Sequence, residues 1–305
     1  MEYDVIIIGG GVAGLAAALQ AKRFNLNTLV LTKEIGGLLN IPNPVENYPG
    51  MGFTTGMEVI KKIRAHAEKF KPEIKEETVI DCKKKGNIFA LKTENSEYYG
   101  KSIVFATGSD RRKLEVPGEK EHIGKGVSYC ASCDGALFGN KTVAVVGGND
   151  SAAQEALLLT QYAKKVYIIY RGEKIRAEPM LVGQVEKNLK IEIITNTNIK
   201  QIKGKIFVDS IVLDMEYKGS AELKLDGLFV EIGHTPSSVL AAELGVKLNE
   251  AKEIMVDRES KTNVLGIFAA GDVTDNGWKQ AIIAASQGSF AAFSAYKYIK
   301  AKEGK

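Results

Sequence analysis

The sequence predicts an α/β protein of two Rossmann-like, dinucleotide-binding units, the second inserted into the first. Three observations predict it. A strand, glycine turn, helix and strand open the chain, the same run recurs in the middle, and a late strand and helix follow once the second run has ended.

The first run is the clearest. "YDVIII" (3–8) is a continuous apolar strand of the kind buried in a parallel sheet. It enters Gly9-Gly10-Gly11-Val12-Ala13-Gly14, then "LAAALQAKRF" supplies helix formers to Phe24, and "TLVLT" (28–32) is the next strand. In this G-x-G-x-x-G turn Gly9 permits the tight bend, Gly11 lets a pyrophosphate approach the backbone, and Gly14 lets helix and strand pack closely. The helix start then offers free N–H groups to phosphate oxygens. Thr32 stands where a ribose-binding acid is usual, and Glu34 comes two residues later.

The middle run is "KTVAVV" (141–146), "GGNDSA" (147–152), "AQEALLLTQYA" and "KVYIIY" (165–170). Asn149 replaces the middle glycine, so this turn is either a nucleotide site with an obstructed backbone or a βαβ turn with no ligand. Strands are expected at "IEIIT", "KIFVDSIVL", "LKLDGLFVEIG" and "GIFAAGDV" (266–273), and a long helix at 280–299. The small residues Ala281, Ala284, Ala285, Gly288, Ala291 and Ala292 suit that helix to close packing. The chain is expected to cross between units near "KLEVP" (113–117) and "GHTPSSVL" (233–240).

Composition narrows the class. The 305 residues are 45% hydrophobic and 26% charged, with a net charge of +4. That length suits about two domains of about 150 residues each. The densest basic run, "KKK" at 83–85, reads as the solvated end of a hairpin, so no nucleic-acid partner is expected. No apolar run approaches the ~18–20 residues of a membrane span, and no signal peptide is apparent, so a cytoplasmic protein without a membrane partner is expected. Three cysteines make no secreted disulfide framework.

Two of those cysteines lie in "SYCASCDG" (128–135). A zinc site would need further ligands, but there is no second Cys-x-x-Cys and His66, His122 and His234 are scattered, so no metal is expected. A structural disulfide would close too short a loop to stabilise much. Redox chemistry at Cys130 and Cys133 is the favoured reading, with Asp134 placed to move protons during exchange. Cys82 reads as an ordinary buried or edge thiol.

Over nearly its whole length the chain resembles the low-molecular-weight thioredoxin reductases, which are homodimeric FAD flavoproteins. The matching segments are "GGGVAGLAAA" (9–18), "VENYPG" (45–50), "ATG" (106–108), "VPGE" (116–119), "CASCDG" (130–135), "IGHTP" (232–236) and "GIFAAGDVTDNGWKQAIIAA" (266–285). The resemblance implies an FAD domain of residues 1–114 plus 241–305, and an NAD(P)H-like domain, 115–240, that carries the cysteines. FAD contacts would come from Gly9, Gly11, Gly14, the segment Glu34-Ile35-Gly36-Gly37, Asn47, Thr107, Gly108, Asp272 and Lys279-Gln280-Ala281, with Thr32 beside the ribose. It also implies that Cys133 lies against the flavin, that Cys130 attacks the substrate disulfide, and that Asp134 is the acid/base. The electron acceptor would be thioredoxin or a thioredoxin- or glutaredoxin-like protein.

The donor side departs from the family pattern. NADPH or NADH would be held by Gly147, Gly148, Asn149, Asp150, Ser151, Arg171 and Arg176. The family's His-Arg-Arg-x-x-x-Arg, however, reads here Tyr170-Arg171-Gly172-Glu173-Lys174-Ile175-Arg176. Leu38 in "GGLL" replaces a frequent glutamine, and Ala136 and Leu137 stand where some members carry adjacent phenylalanines. Two alternatives therefore accompany the disulfide-reductase reading. One is a thiol oxidase that uses oxygen, and the other is a reductase fed by a deazaflavin or a ferredoxin.

Overall fold

A computed structural model describes residues 2–40, 44–45 and 47–303. Glu46, within the "VENYPG" run, lies outside the described residues. The chain divides into two compact units, Met1–Asp110 with Thr235–Lys305, and Arg111–His234. The two passages between them, Ser109–Arg111 and His234–Pro236, form a two-stranded ribbon.

The first unit is organised by the strand Glu2–Gly10, which lies parallel between Thr28–Ile35 and Glu97–Phe105. Its Val5, Ile6 and Ile7 are wholly buried because both faces of this sheet are covered. Each such side chain contributes about 1.5–3 kcal/mol on burial. Glu73–Lys75 extends the sheet beyond Thr28–Ile35, and Ile267–Ala269 joins on the far side of Glu97–Phe105. The lysine run ends the strand Val79–Lys85, which pairs antiparallel with Ile88–Thr93, and Lys83, Lys84 and Lys85 are exposed.

One face of this sheet carries the helices Val12–Arg23 and Ala281–Glu303. They touch where the sequence is smallest: a Cβ on Gly288 would lie 2.1 Å from the Ala13 carbonyl oxygen. The expected strand over 266–273 is shorter than its apolar run. It stops at Ala269 because Gly271 adopts φ 81°, turning the chain so that Thr274 N and Oγ1 both donate to Gly271 O.

The second unit has a five-stranded parallel sheet in the order Val127–Ser128, Gly227–Val230, Thr142–Val146, Lys165–Ile169, Ile191–Ile194. Helices Asp150–Leu159 and Pro179–Lys187 pack on one face through Ala152, Ala156, Leu159, Leu181 and Val185. The other face is covered by an antiparallel sheet of Ile199–Lys203, Ser210–Tyr217 and Ser220–Lys224. Here the apolar runs mislead. "LKLDGLFVEIG" is two strands in two sheets, broken at Asp226, whose N–H donates to Thr142 O and whose carboxylate accepts from Thr142 N. "KIFVDSIVL" likewise becomes a strand only from Ser210, with Ile206 and Phe207 exposed ahead of it.

Candidate active site

In the second unit Cys130 and Cys133 are joined as a disulfide, with their Cα atoms 5.4 Å apart. The spacing works because Cys130 caps the short helix Ala131–Asp134, its sulfur accepting from the Cys133 N–H at 3.2 Å. Cys133 is exposed and Cys130 half-buried. Asp134 is tied back to this turn through Ser128, whose hydroxyl donates to Asp134 Oδ2 at 2.6 Å and accepts from the Cys130 N–H at 3.1 Å. A carboxylate on the redox helix, linked to the Cys130 N–H through one hydroxyl, is placed for proton traffic at sulfur.

The approach to this turn is held by Glu119 of "VPGE". It is 1% exposed and accepts from Leu114 N–H, Glu115 N–H and the Tyr129 hydroxyl, at 2.7–2.8 Å. Burial, first, and the Glu119 bond then push the Tyr129 phenol well above its ordinary range. Leu137 is exposed and Ala136 lies beside it at the surface. Cys82 is buried in the first unit, and burial pushes its thiol up to about 12, so it stays a protonated packing residue. Among the described residues no group of three or more His, Cys, Asp or Glu side chains is placed to hold a metal ion.

In the first unit the three motif glycines meet three different surroundings. A Cβ on Gly9 would lie 2.2 Å from Ala106 O, and one on Gly14 would lie 1.9 Å from Gly9 O. Gly11 is the exception, since a Cβ there meets only Gly36 O, at 3.9 Å. No side chain caps helix Val12–Arg23 at Gly11. Two glycines are therefore demanded by the protein's own packing, while the third opens a space at uncapped amides, which fits a dinucleotide pyrophosphate.

The other expected cofactor residues fall into two groups. Thr32 is 5% exposed, and its hydroxyl is committed to Gly10 N–H at 2.9 Å and Glu34 O at 2.6 Å. Glu34 itself is exposed, and Gly36 N–H bonds Gly10 O, which brings the 34–37 segment to the glycine turn. Asn47 donates to Gln280 Oε1 at 2.9 Å, joining two expected contacts that are far apart in the chain. Thr107 donates to Ser237 O, and Gly108 O accepts from Ser237 N–H. Lys279 pairs with Glu253 at 2.8 Å and donates to Thr274 O, just ahead of Ala281, which opens the last helix. Asp272 has its carboxyl raised by burial, opposed by the Lys279 charge. Sequence reasoning missed Gln287, which accepts from Gly271 N–H and donates to Thr274 Oγ1, bracing the Asp272 turn from a helix sixteen residues away. No local pattern announces such a brace.

The second glycine turn is closed by its own neighbours. Asn149 caps helix Asp150–Leu159, accepting from Ala152 N–H at 3.0 Å. Asp150 accepts from Glu178 N–H at 2.7 Å, and Ser151 is half-buried in the first helical turn. A Cβ on Gly147 would lie 2.2 Å from Glu231 O, and one on Gly148 would lie 2.6 Å from the Tyr170 ring. A Cβ on Gly172 would lie 2.6 Å from the same ring, the Arg176 guanidinium lies 5.9 Å from its centroid, and Arg176 N–H donates to Gly148 O. Arg171 is exposed.

The chain matches the family described as pyridine nucleotide-disulphide oxidoreductase over residues 3–288. It is 41% identical over 307 residues to thioredoxin reductase of Bacillus subtilis, covering 98% of this chain and 95% of that one. Among solved structures, thioredoxin reductase of Lactococcus lactis is similar with a TM-score of 0.93 and 38% identity, covering 98% of this chain and 99% of the other. That of T. acidophilum is similar with a TM-score of 0.90 and 34% identity, covering 97% and 98%. With its Cys-x-x-Cys disulfide and its open glycine turn, the chain belongs to the pyridine nucleotide-disulphide oxidoreductases, within their thioredoxin reductase branch.

Proposed function

We propose that this protein is a flavin-dependent disulfide reductase that passes electrons through Cys130 and Cys133 to thioredoxin or a similar small dithiol protein. The observation that carries the proposal is the Cys130–Cys133 disulfide on an accessible turn with Asp134 bonded to it through Ser128. FAD would be held in the unit containing residues 1–110 by Gly9, Gly11, Gly14, the 34–37 segment, Asn47, Thr107, Gly108, Asp272 and Lys279-Gln280-Ala281. When bound, it supplies the carrier that would bring two electrons from the donor to the Cys130–Cys133 disulfide.

The chain's own residues do the rest. In the reduced pair, a thiolate on Cys130 and a thiol on Cys133, the Cys130 thiolate attacks one sulfur of the partner's disulfide, forming a mixed disulfide and releasing a partner thiolate. Asp134 relays the Cys133 proton to that leaving thiolate, and the Cys133 thiolate then attacks the Cys130 sulfur, re-forming the internal disulfide and expelling the second partner thiolate, which takes a proton from water. Two electrons leave the pair and two thiols leave on the partner. Ser128 keeps the Asp134 carboxyl oriented toward the turn.

The test is trapping. Cys133→Ser should hold thioredoxin as a stable mixed disulfide on Cys130, seen as a shift in mass that dithiothreitol reverses, whereas Cys130→Ser should trap far less. The opposite pattern would reverse the roles, and trapping by neither would remove the assignment. We place the enzyme in the cytoplasm, in keeping with its three cysteines, and take it as a homodimer from its resemblance to the low-molecular-weight thioredoxin reductases. Among the described residues no helix is long and apolar enough to cross a membrane.

The donor has two readings. NADPH or NADH would use Gly147, Gly148, Asn149, Asp150, Ser151, Arg171 and Arg176. The second reading, in which a deazaflavin or reduced ferredoxin feeds the flavin without this turn, rests on Gly172 and Asn149, which stand where the family pattern has an arginine and a glycine.

A further inference from the structure

Beneath the redox turn lies a buried carboxyl that the exchange chemistry leaves unused. Glu155, on helix Asp150–Leu159, is 4% exposed. Its Oε1 accepts from the Ala131 N–H at 2.9 Å, the residue that follows Cys130. Its Oε2 is buried with no donor bonded to it, beside the Glu231 carboxyl with which a proton on Glu155 would be shared. A second buried carboxyl, Glu231 at the end of strand Gly227–Val230, is 4% exposed and paired with Arg111 at 2.9 Å. Glu231 and Arg111 are the charges that act on Glu155, and Asp134, on the redox helix itself, is bonded to Ser128. Burial, then the Glu231 charge, raise Glu155 to about 8. Arg111 opposes the rise that burial causes at Glu231. The Arg111 ion pair holds the negative charge of the two carboxyls on Glu231, and burial beside that charge favours the proton on Glu155. An ionised Glu155 would be a second uncompensated charge in the interior.

We propose that Glu155 is a positioning residue for the redox pair, a protonated carboxyl that anchors Ala131 and keeps the neighbourhood of Cys130 neutral while charge forms on sulfur. The proposal rests on the redox reading of Cys130 and Cys133. Reduction breaks the S–S bond with two electrons and one proton, leaving a thiol and a thiolate. A neutral Glu155 tolerates that thiolate, and an ionised one repels it. The reduced pair should therefore be disfavoured as Glu155 loses its proton.

The experiment equilibrates the purified flavoprotein with dithiothreitol and its oxidised form between pH 6.5 and 9.5, then counts free thiols at Cys130 and Cys133 by alkylation and mass. Glu155→Gln keeps an acceptor for Ala131 and stays neutral at every pH. The ratio of native to Glu155→Gln equilibrium constants should be flat below pH 7 and fall about threefold or more toward pH 9, half a pKa unit of coupling being about threefold. Glu155→Ala, which strands the Ala131 N–H, should shift the equilibrium about tenfold across the whole range, with Gln reversing that shift. A flat ratio up to pH 9.5 overturns the proposal, and so does a Gln variant no better than Ala. A pair that never exchanges with dithiothreitol overturns both this proposal and the disulfide-reductase reading. One that exchanges with a flat ratio overturns only this proposal.

Discussion

The two glycine turns are one motif at the ends of two equivalent strands, and they finish differently. At the first, helix Val12–Arg23 begins at Gly11 with no side chain on its leading amides and no atom within 3.9 Å of where a Cβ would stand. At the second, the Asn149 side chain stands in place of the third glycine and takes the Ala152 amide, while Gly148 packs on Tyr170 much as Gly10 packs on Thr32 at the first. A helix start with bare N–H groups leaves them to solvent or to an anionic ligand. One whose N-cap side chain has already taken an amide offers less to a phosphate. The motif says where the backbone bends, and the side chains around it say whether the bend is open.

The largest expected effect separates the two turns by strain. Gly9→Ala puts a Cβ 2.2 Å from a backbone oxygen at φ 112°, and should cost more than about 4 kcal/mol in urea unfolding, or prevent folding. Gly148→Ala meets only the Tyr170 ring, which can swing, and should cost about 1–3 kcal/mol. Equal costs at the two sites would break the comparison.

Filling the open turn comes next. Gly11→Glu should fold normally but bind flavin about tenfold to a hundredfold more weakly, since each charge-assisted hydrogen bond lost weakens binding by about 1.5–3 kcal/mol. Absorbance after desalting measures the retained flavin, and a melting curve of the stripped protein checks the fold. Asn149→Glu at the second turn should leave flavin content unchanged.

Opening the closed turn sharpens the donor question. Asn149→Gly with Tyr170→Ala should speed flavin reduction by NADPH at low concentration by about tenfold, read by stopped-flow absorbance, because about 1.4 kcal/mol of obstruction is removed. Fast, saturable reduction of the native protein by NADPH, with strong discrimination against NADH, would mean that the turn opens by itself. The smallest effect tests the cap alone. Asn149→Ala should cost about 1 kcal/mol in a urea midpoint, whereas Gly11→Ala, which removes no cap, should stay within about 0.5 kcal/mol.

Much of this was legible in one dimension. "YDVIII" is apolar at consecutive positions, so it could only be a strand buried on both faces, and the glycines that follow it mark the turn. The Cys-x-x-Cys pair with Asp134 beside it marked the redox residues. Other features were not legible. The runs "LKLDGLFVEIG" and "GIFAAGDV" read as single strands because apolarity marks burial, not the sheet in which a residue is buried. Asp226 and Gly271 end those strands through contacts with Thr142 and Gln287, which are remote in sequence.

The sequence by itself determined the class of the protein, since periodicity, glycine spacing and the cysteine pair are local and the backbone geometry they impose is local too. Tertiary structure alone decided the character of each site. Glu155 lies on a helix whose sequence marks it only as one acid among others, and Glu231 sits at the end of an apolar strand. They become a buried pair beneath the redox turn only because the strand Gly227–Val230 lies beside Thr142–Val146, bringing positions 155 and 231 together with Arg111. In the same way Tyr170 reads in the chain as the last residue of an apolar strand. It packs on the second turn because that strand ends next to Gly148, and only a fold can bring a ring and a glycine that far apart in sequence into contact.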